Sequence, residues 1–161
     1  MKRKNIFISP TLGEVTTGEL RNRILSFMGE DPDSRYKMII GSDSQDKNSE
    51  GIDFVTAIVI HRLGFGGIYF WKRIHESKSL AMKSRIYQEA TFSILCAQEI
   101  KEIFKSDDIA SYELEIHVDI GNVGKTKEMI NEVIGMVRGS GFPVRMKPYS
   151  YAASTIADRY T

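Results

Sequence analysis

Apolar and polar residues change their spacing several times along the chain, and each spacing predicts a type of element. Residues 1–15 show no sustained period and are predicted to form an irregular lead-in. Thr16 and Glu19 then have the spacing of a capping box. The stretch from Leu20 to Met28 repeats with a helical period, so a helix is predicted there, ending before the acidic segment that follows.

Three runs rich in β-branched and aromatic residues follow this helix. They cover about 36–43, 54–61 and 68–75. The first connection, 45–51, is polar, and the second contains the glycine-rich turn 64–67. Consecutive strands with connections this short favour an antiparallel meander.

The second half of the chain alternates helices with strands. Its long helix carries apolar residues on one face, and Glu89 extends that face toward the N-terminus. Strands that alternate with helices favour parallel pairing, so the complete order predicts an α/β fold with a mixed five-stranded sheet flanked by helices. The predicted elements are a helix at 81–105 whose face holds residues 92, 95, 96, 99, 100, 103 and 104, a strand at 112–119, a helix at 125–138, a strand at 142–146 and a helix at 151–160.

Length, charge and cysteine content narrow the class of protein. The 161 residues have the length of one ordinary domain. Basic and acidic residues nearly cancel, at 22 against 21, so the chain has no global attraction to nucleic acid or to a membrane, although a local basic patch is compatible with this balance. The single cysteine, Cys96, excludes an internal disulfide and favours a reducing cytoplasm. No apolar run approaches the length of a membrane span.

Four carboxylates are the strongest candidates for chemistry. Asp43 and Asp119 end two predicted strands, Glu89 lies on the apolar face of the long helix, and Asp158 lies on the last helix. Two carboxylates ~4 Å apart repel by about 4 kcal/mol at an effective dielectric constant near 20. If several of these acids converge, a divalent cation relieves the repulsion, and hard oxygen ligands suit Mg²⁺ or Mn²⁺.

Each acid also has a purely structural interpretation. Asp43 and Asp119 could each begin a turn, because Asp is common there. Glu89 could pair with Lys83 or Arg85, and Asp158 could be a solvated helix acid. The four acids together indicate a metal site more strongly than any one of them does, because they occur on a predicted strand, helix, strand and helix in that order.

The element order and these acids together resemble the ribonuclease-H-like fold. In that superfamily an acid lies on the first strand, on the first helix, at the end of strand four and on a late helix. The corresponding motifs here are Gly-Ser-Asp-Ser-Gln around Asp43, Tyr-Gln-Glu-Ala around Glu89, His-Val-Asp-Ile-Gly around Asp119 and Ile-Ala-Asp-Arg-Tyr around Asp158. The sequence is most similar to the bacterial YkuK-type family.

The resemblance predicts one ribonuclease-H-like domain over residues 1–161. Residues 36–161 form its core, and residues 1–35 add the lead-in and an extra helix. It also implies a metal-dependent nuclease. Two metal ions can activate the attacking water and neutralise the leaving oxygen during phosphodiester hydrolysis.

Each acid then receives an expected role at the metal ions. Asp43 is expected to bridge the two ions, with Glu89 and Asp119 beside it and Asp158 completing the second site. The usual Asp-Gly-Ser of hybrid-cleaving enzymes is Asp43-Ser44-Gln45 here. Whether the substrate is DNA, RNA or a hybrid therefore stays open.

Basic residues near the third strand and the long helix are candidates for contact with a phosphate backbone. They interleave with Trp71 and Tyr87, which could stack on exposed bases. A solvated surface is the alternative. His117 shares a strand face with Asp119 and could reach the site, although a buried structural role is the more common case for such a histidine. The candidates are Lys72, Arg73, Lys78, Lys83, Arg85 and His117.

Two other functions remain open at the level of sequence. A non-catalytic nucleic-acid-binding module could keep the same fold, since fold does not fix function. The Gly-Lys-Thr turn at 124–126 raises the possibility of an NTPase, but the glycine that a P-loop requires earlier in the motif is replaced by Asp119.

Overall fold

The computed structural model describes residues 6–105, 112–120 and 129–146. This part of the chain forms one mixed sheet with helices packed against it. Its elements are β1 (Ile6–Ser9), β2 (Gly13–Thr16), α1 (Thr17–Gly29), β3 (Tyr36–Asp46), a short 3-10 helix (Asn48–Glu50), β4 (Ile52–Arg62), β5 (Gly67–Glu76), α2 (Met82–Ile103), β6 (Tyr112–His117), α3 (Ile130–Gly139) and β7 (Val144–Arg145).

The seven strands lie in the order β2-β1-β5-β4-β3-β6-β7. Strands β3, β4 and β5 form the predicted antiparallel meander, and β6 joins β3 in parallel. Strand β7 then pairs in parallel with β6. The mixed α/β architecture is therefore confirmed, while the described residues form seven strands where five were predicted.

The two additional strands come from the segment that was expected to be irregular. Strands β1 and β2 form an antiparallel hairpin in which Phe7 faces Val15, and both of these side chains are buried. The turn is held by Ser9, whose hydroxyl accepts hydrogen bonds from the backbone of Thr11 and Leu12. With four residues in each strand, the alternation is too short to stand out in the sequence.

Helix α1 begins as its sequence predicts. The Thr16 hydroxyl accepts a hydrogen bond from the Glu19 backbone, and the Glu19 carboxylate accepts one from the Thr16 backbone, both at 3.2 Å. This reciprocal cap satisfies two backbone donors that a helix start otherwise leaves without partners. The helix then buries Leu20 and Ile24 against the sheet.

The main core lies between one face of the sheet and the described helices. Met38 and Ile40 of β3 contribute to it, together with Ile100 of α2 and Val133 of α3. Val55 and Ala57 form a second, small cluster with Trp71 on the other face. Because strand residues alternate between faces, each strand has one set of side chains toward the helices and another set away from them.

The buried face of α2 differs from the predicted one. Leu95 was assigned to that face but is 54% exposed, so this part of the prediction is wrong. Small residues occupy the contact instead, and the Ser93 hydroxyl lies 2.8 Å from that of Ser42 on β3. A satisfied serine can line a core, which an analysis of apolar spacing alone does not detect. The buried α2 residues are Ala90, Ser93, Ile94, Cys96, Ala97 and Ile100.

The C-terminal part of the fold is described only in part. Helix α3 ends as predicted, while the residues at its predicted start and the predicted helix at 151–160 lie outside the described residues. None of the helices in the described ranges is long and apolar enough to cross a membrane.

Gly51 sits at a turn that only glycine accommodates, and this gives the first prediction. Its φ angle is 91°, and a Cβ would collide with the backbone oxygen of Glu76. We expect Gly51→Ala to lower the free energy of unfolding by about 2–4 kcal/mol, measured by urea denaturation.

Gly135 provides the matched control. It lies within α3, and a Cβ there would meet no atom within 4 Å. Gly135→Ala should raise the free energy of unfolding by about 0.5–1 kcal/mol, because alanine favours a helix interior. Equal effects of the two substitutions would contradict the proposed strain at Gly51.

Candidate functional site

Strand β3 and the segment after β6 bring Asp43 and Asp119 to one edge of the sheet. The parallel register of the two strands ends with Gly41 beside His117. Two residues further along the chain come Asp43, which is half-buried, and Asp119, which is exposed. Neither acid ends its strand as predicted, because β3 continues to Asp46 and β6 ends at His117. The β3–β4 register runs unbroken past Asp43, so strand alternation places Asp43 on the face away from α2.

Glu89 approaches the same edge from α2, and Ser44 holds its carboxylate. The Ser44 hydroxyl donates to Glu89 Oε2 at 2.5 Å. Arg85 fixes that serine by donating to its hydroxyl at 3.1 Å and to its backbone oxygen at 3.0 Å. One turn of α2 is therefore tied to the residue that follows Asp43.

The environment of Glu89 favours its protonated form. Burial raises the pKa of Glu89 to about 8, and the charges of Asp43 and Asp119 add to the increase. The hydrogen bond from Ser44 and the charge of Arg85 oppose it. The repulsion means that all three acids lie within electrostatic reach of one another around Glu89.

A small cavity connects two of these acids. It has a volume of about 10 Å³ and is lined by both Glu89 and Asp119, which is close to the space that one water molecule needs. Ser42 and Ser93 line it as well. Polar side chains from β3 and α2, together with the segment after β6, therefore surround one solvent-sized space.

The donor chemistry of this edge fits a hard divalent cation, but no ligand shell is already assembled in the described residues. Carboxylate oxygens are the ligands that Mg²⁺ and Mn²⁺ prefer. In the ranges that the structure covers, no three Asp, Glu, His or Cys side chains form a group that could hold a metal ion. Asp158 lies outside the described residues, so its role as the fourth ligand stays a prediction.

The predicted substrate-binding residues have diverse surroundings. Lys72 forms an ion pair with Glu99 at 2.9 Å and lies over the ring of Phe7, so part of its charge is already compensated. Arg85 is engaged with Ser44. Arg73, Lys78 and Lys83 are exposed. Their contact with a polymer stays a prediction.

His117 is buried beside the acids. Its side chain is 3% exposed, and its Nε2 lies 2.7 Å from Glu115 Oε1. Burial lowers the pKa of His117, while the hydrogen bond to Glu115 opposes that shift. A neutral, buried histidine with a carboxylate partner fits a structural role, the alternative to a direct part in the site.

The serines on either side of Asp43 are the part of the site that sequence reasoning missed. Ser42 bonds to α2 through Ser93, and Ser44 bonds to it through Glu89. Their signal was present in the sequence, because two small polar residues flanked an acid where a buried strand would be apolar.

Comparison with known proteins identifies the family. The model of the family described as Ribonuclease H-like matches residues 19–161. This chain belongs to the ribonuclease H-like family. The fold inferred from the sequence is thereby confirmed. Asp43 lies on β3 and Glu89 on α2, as the resemblance expected, whereas Asp119 follows the last residue of β6 instead of ending the strand.

Individual proteins also match this ribonuclease H-like chain. The "Uncharacterized protein YkuK" of Bacillus subtilis (strain 168) is 28% identical over 167 residues, covering 97% of this chain and 96% of that protein. This likeness supports the YkuK-type resemblance.

The second match is a solved chain, named "Crystal structure of Prototype Foamy Virus Protease-Reverse Transcriptase (native)". It is 9% identical with a TM-score of 0.37, covering 79% of this chain and 20% of that one. A score this low carries no weight for fold or function.

The raised pKa of Glu89 predicts how stability changes with pH in the absence of metal. Its pKa is about 8 in the folded protein against an ordinary value of 4.5, so the folded state keeps a proton that the unfolded state has released. This contribution to stability is fully present below the unfolded pKa and is lost as the pH rises through the folded pKa. Glu89→Gln keeps an oxygen acceptor for Ser44 but cannot ionise, so we expect it to remove this loss.

Urea unfolding in a chelating buffer at about pH 5 and about pH 9 measures the effect as the difference between wild type and variant. Glu102→Gln is the control, because Glu102 lies on the same helix with its side chain 70% exposed; it should follow wild type. If Glu89→Gln loses as much stability as wild type between these pH values, the proposed protonation is wrong.

Proposed function

We propose that this protein is a divalent-metal-dependent nuclease that hydrolyses phosphodiester bonds, with Asp43, Glu89 and Asp119 as ligands to the metal. One observation carries the proposal. Glu89 is a half-buried carboxyl group whose pKa is raised to about 8, mainly by desolvation and partly by the charges of the other two acids. A protein keeps such an arrangement at a cost in stability, and that cost is typical of functional sites.

A divalent cation offsets this cost more completely than a proton does. A proton neutralises Glu89 alone, whereas a cation between the strand ends attracts all three carboxylates. Binding of the cation would displace the proton from Glu89, because a carboxylate ligates in its ionised form. Asp158 is proposed as the fourth ligand, which would complete a second metal site.

The chemistry then divides between the metal and the protein. Bound Mg²⁺ or Mn²⁺ would lower the pKa of the attacking water and stabilise the leaving oxygen. The protein supplies orientation. Ser44 and Arg85 fix the carboxylate of Glu89, as the outer partners of metal ligands commonly do.

A second function is favoured by one observation. Since the described acids do not yet form a ligand group, the same edge could belong to a nucleic-acid-binding module without catalysis. The Gly-Lys-Thr turn that suggested an NTPase lies outside the described residues, so that alternative gains no support.

Replacement of the strand acids separates the two functions. We expect Asp43→Asn and Asp119→Asn each to reduce Mn²⁺-dependent cleavage of a labelled oligonucleotide by at least ~100-fold, because each removes a charged ligand. Both variants should remain folded, as circular dichroism can verify, because each asparagine has nearly the same shape as the aspartate it replaces.

Glu113→Gln is the matched control for these variants. Glu113 lies on β6, on the same strand face as Asp119 but at the opposite end, with its side chain 66% exposed. The cleavage rate of the Glu113→Gln variant should equal that of wild type. Nucleic-acid binding without cleavage in wild type supports the binding module instead, and cleavage that survives Asp43→Asn excludes the proposed site.

A further inference from the structure

A groove opens along the edge of β5, beside the acids but separate from them. Strand β1 covers only part of this edge, with Ile8 beside Trp71 as the registered pair. The groove has a volume of about 1160 Å³, somewhat larger than the roughly 300–1,000 Å³ of usual ligand pockets. Its walls combine aromatic, aliphatic and basic residues, among them Trp71, Lys72, Arg73, Ile74, Phe92 and Leu95.

Trp71 and Arg73 form a preorganised pair in this groove. The indole of Trp71 packs on Val55 and Ala57, which are both fully buried. The guanidinium of Arg73 lies 5.3 Å from the centroid of the indole ring, while the residue remains exposed. The aromatic ring is therefore held by the sheet, and the cation is held over the ring by a cation–π contact.

The sheet register aligns this pair with the proposed catalytic acids. Arg73 lies beside Val55, and Val55 lies beside Asp43 on the next strand. Residues in register across a sheet point to the same face, so Trp71, Arg73 and Asp43 share one surface. Two strand spacings, or about 10 Å, separate Arg73 from Asp43 along this row.

Exposed apolar residues line the part of the groove that lies on the other face of the sheet, beside α2. Ile74 is 36% exposed and Leu95 is 54% exposed, and both line the groove. Lys72 adds a cation at the groove, although its charge is compensated by Glu99. The groove therefore runs around the β5 edge from the Trp71–Arg73 pair to apolar residues beside α2, and this mixture suits nucleobases better than it suits a phosphate backbone alone.

We propose that this groove binds a single-stranded nucleic acid, with a base stacked against the Trp71–Arg73 pair and a phosphate bound by Arg73, so that the strand leads to the acids. The inference rests on the proposed nuclease function and names its substrate class. In a duplex the base faces are covered by their neighbours, whereas a single strand can present a base to an aromatic ring.

The charge of the whole chain favours stacking over electrostatic capture. A net charge of +1 provides little general attraction to a polyanion. Stacking on aromatic side chains is tolerant of sequence and does not require a basic surface. Binding should therefore depend only weakly on salt, with a slope that corresponds to about one or two phosphate contacts.

The sole tryptophan makes the contact directly observable. Trp71 is the one tryptophan in the sequence, so its fluorescence reports on the groove alone. Oligothymidylate and oligouridylate of about 12 nucleotides are titrated into Asp43→Asn protein, alongside a blunt duplex of the same length. We expect saturable quenching by at least one of the single strands and much weaker quenching by the duplex.

Variants are compared by anisotropy of a labelled single strand. Trp71→Leu should weaken binding by about tenfold, and Trp71→Phe should recover part of the loss. Tyr69→Leu is the matched control, because Tyr69 lies two residues earlier on the same face of β5 and does not line the groove; it should bind as wild type.

Arg73 is tested through the salt dependence of binding. Arg73→Gln should reduce the slope of log affinity against log salt by about 0.7, the value for one phosphate on a single strand. Arg35→Gln is its control, since Arg35 is an exposed arginine just before β3, at the far end from Asp43. The slope should not change in that variant.

Several outcomes overturn the proposal. These are equal quenching by duplex and single strand, an absence of quenching by both single strands, or a Trp71→Leu affinity equal to that of wild type. The nuclease function is tested separately by cleavage. Single-strand binding without cleavage would contradict the proposed nuclease function but support the proposed binding groove. Cleavage restricted to duplexes would contradict single-strand binding in the groove but support the nuclease function.

Discussion

A half-buried carboxyl group within reach of two other acids is the constraint from which the site follows. Glu89 is held by Ser44 beneath the sheet edge that carries Asp43 and Asp119. No local rule of helix or strand formation requires an acid there, since a hydrophobic residue would stabilise α2 more. The fold provides compensation through Ser44 and Arg85, but these contacts leave the pKa of Glu89 near 8. A bound cation would offset the remaining repulsion between Glu89 and the two aspartates.

Strand β3 determines where these groups meet. It pairs with β4 along its whole length and with β6 along its first half, so its backbone is restrained on both sides up to Gly41. Beyond that point β6 ends while β3 continues to Asp46. Polar side chains at this end of β3 therefore lie on both faces of the sheet, with Ser42 and Ser44 toward α2 and Asp43 away from it. A site built on a paired strand is also more rigid than one built on loops.

Sequence reasoning succeeded where a pattern persisted for several turns or strand residues. The meander and the capped first helix were predicted because each has enough residues to show its period. The hairpin of β1 and β2 was missed because its strands are too short. The buried face of α2 was predicted wrongly because it includes Ser93, a polar residue whose hydroxyl is hydrogen-bonded to that of Ser42 on β3. Asp43 and Glu89 lie on the elements predicted for them, whereas Asp119 follows its strand, and only the fold shows that Ser44 and Arg85 hold Glu89.

Charge balance links the two halves of the proposed substrate path. An acidic edge repels phosphate, so a nucleic acid cannot settle there until the acids are neutralised. A cation at the edge would remove that repulsion, and by linkage a bound phosphate would strengthen the binding of the cation to the same degree. The Trp71–Arg73 pair lies about two strand spacings away, or roughly 10 Å, near the Debye length at physiological salt. Stacking there is insensitive to the charge at the edge, so a single strand could be held before the metal site is complete.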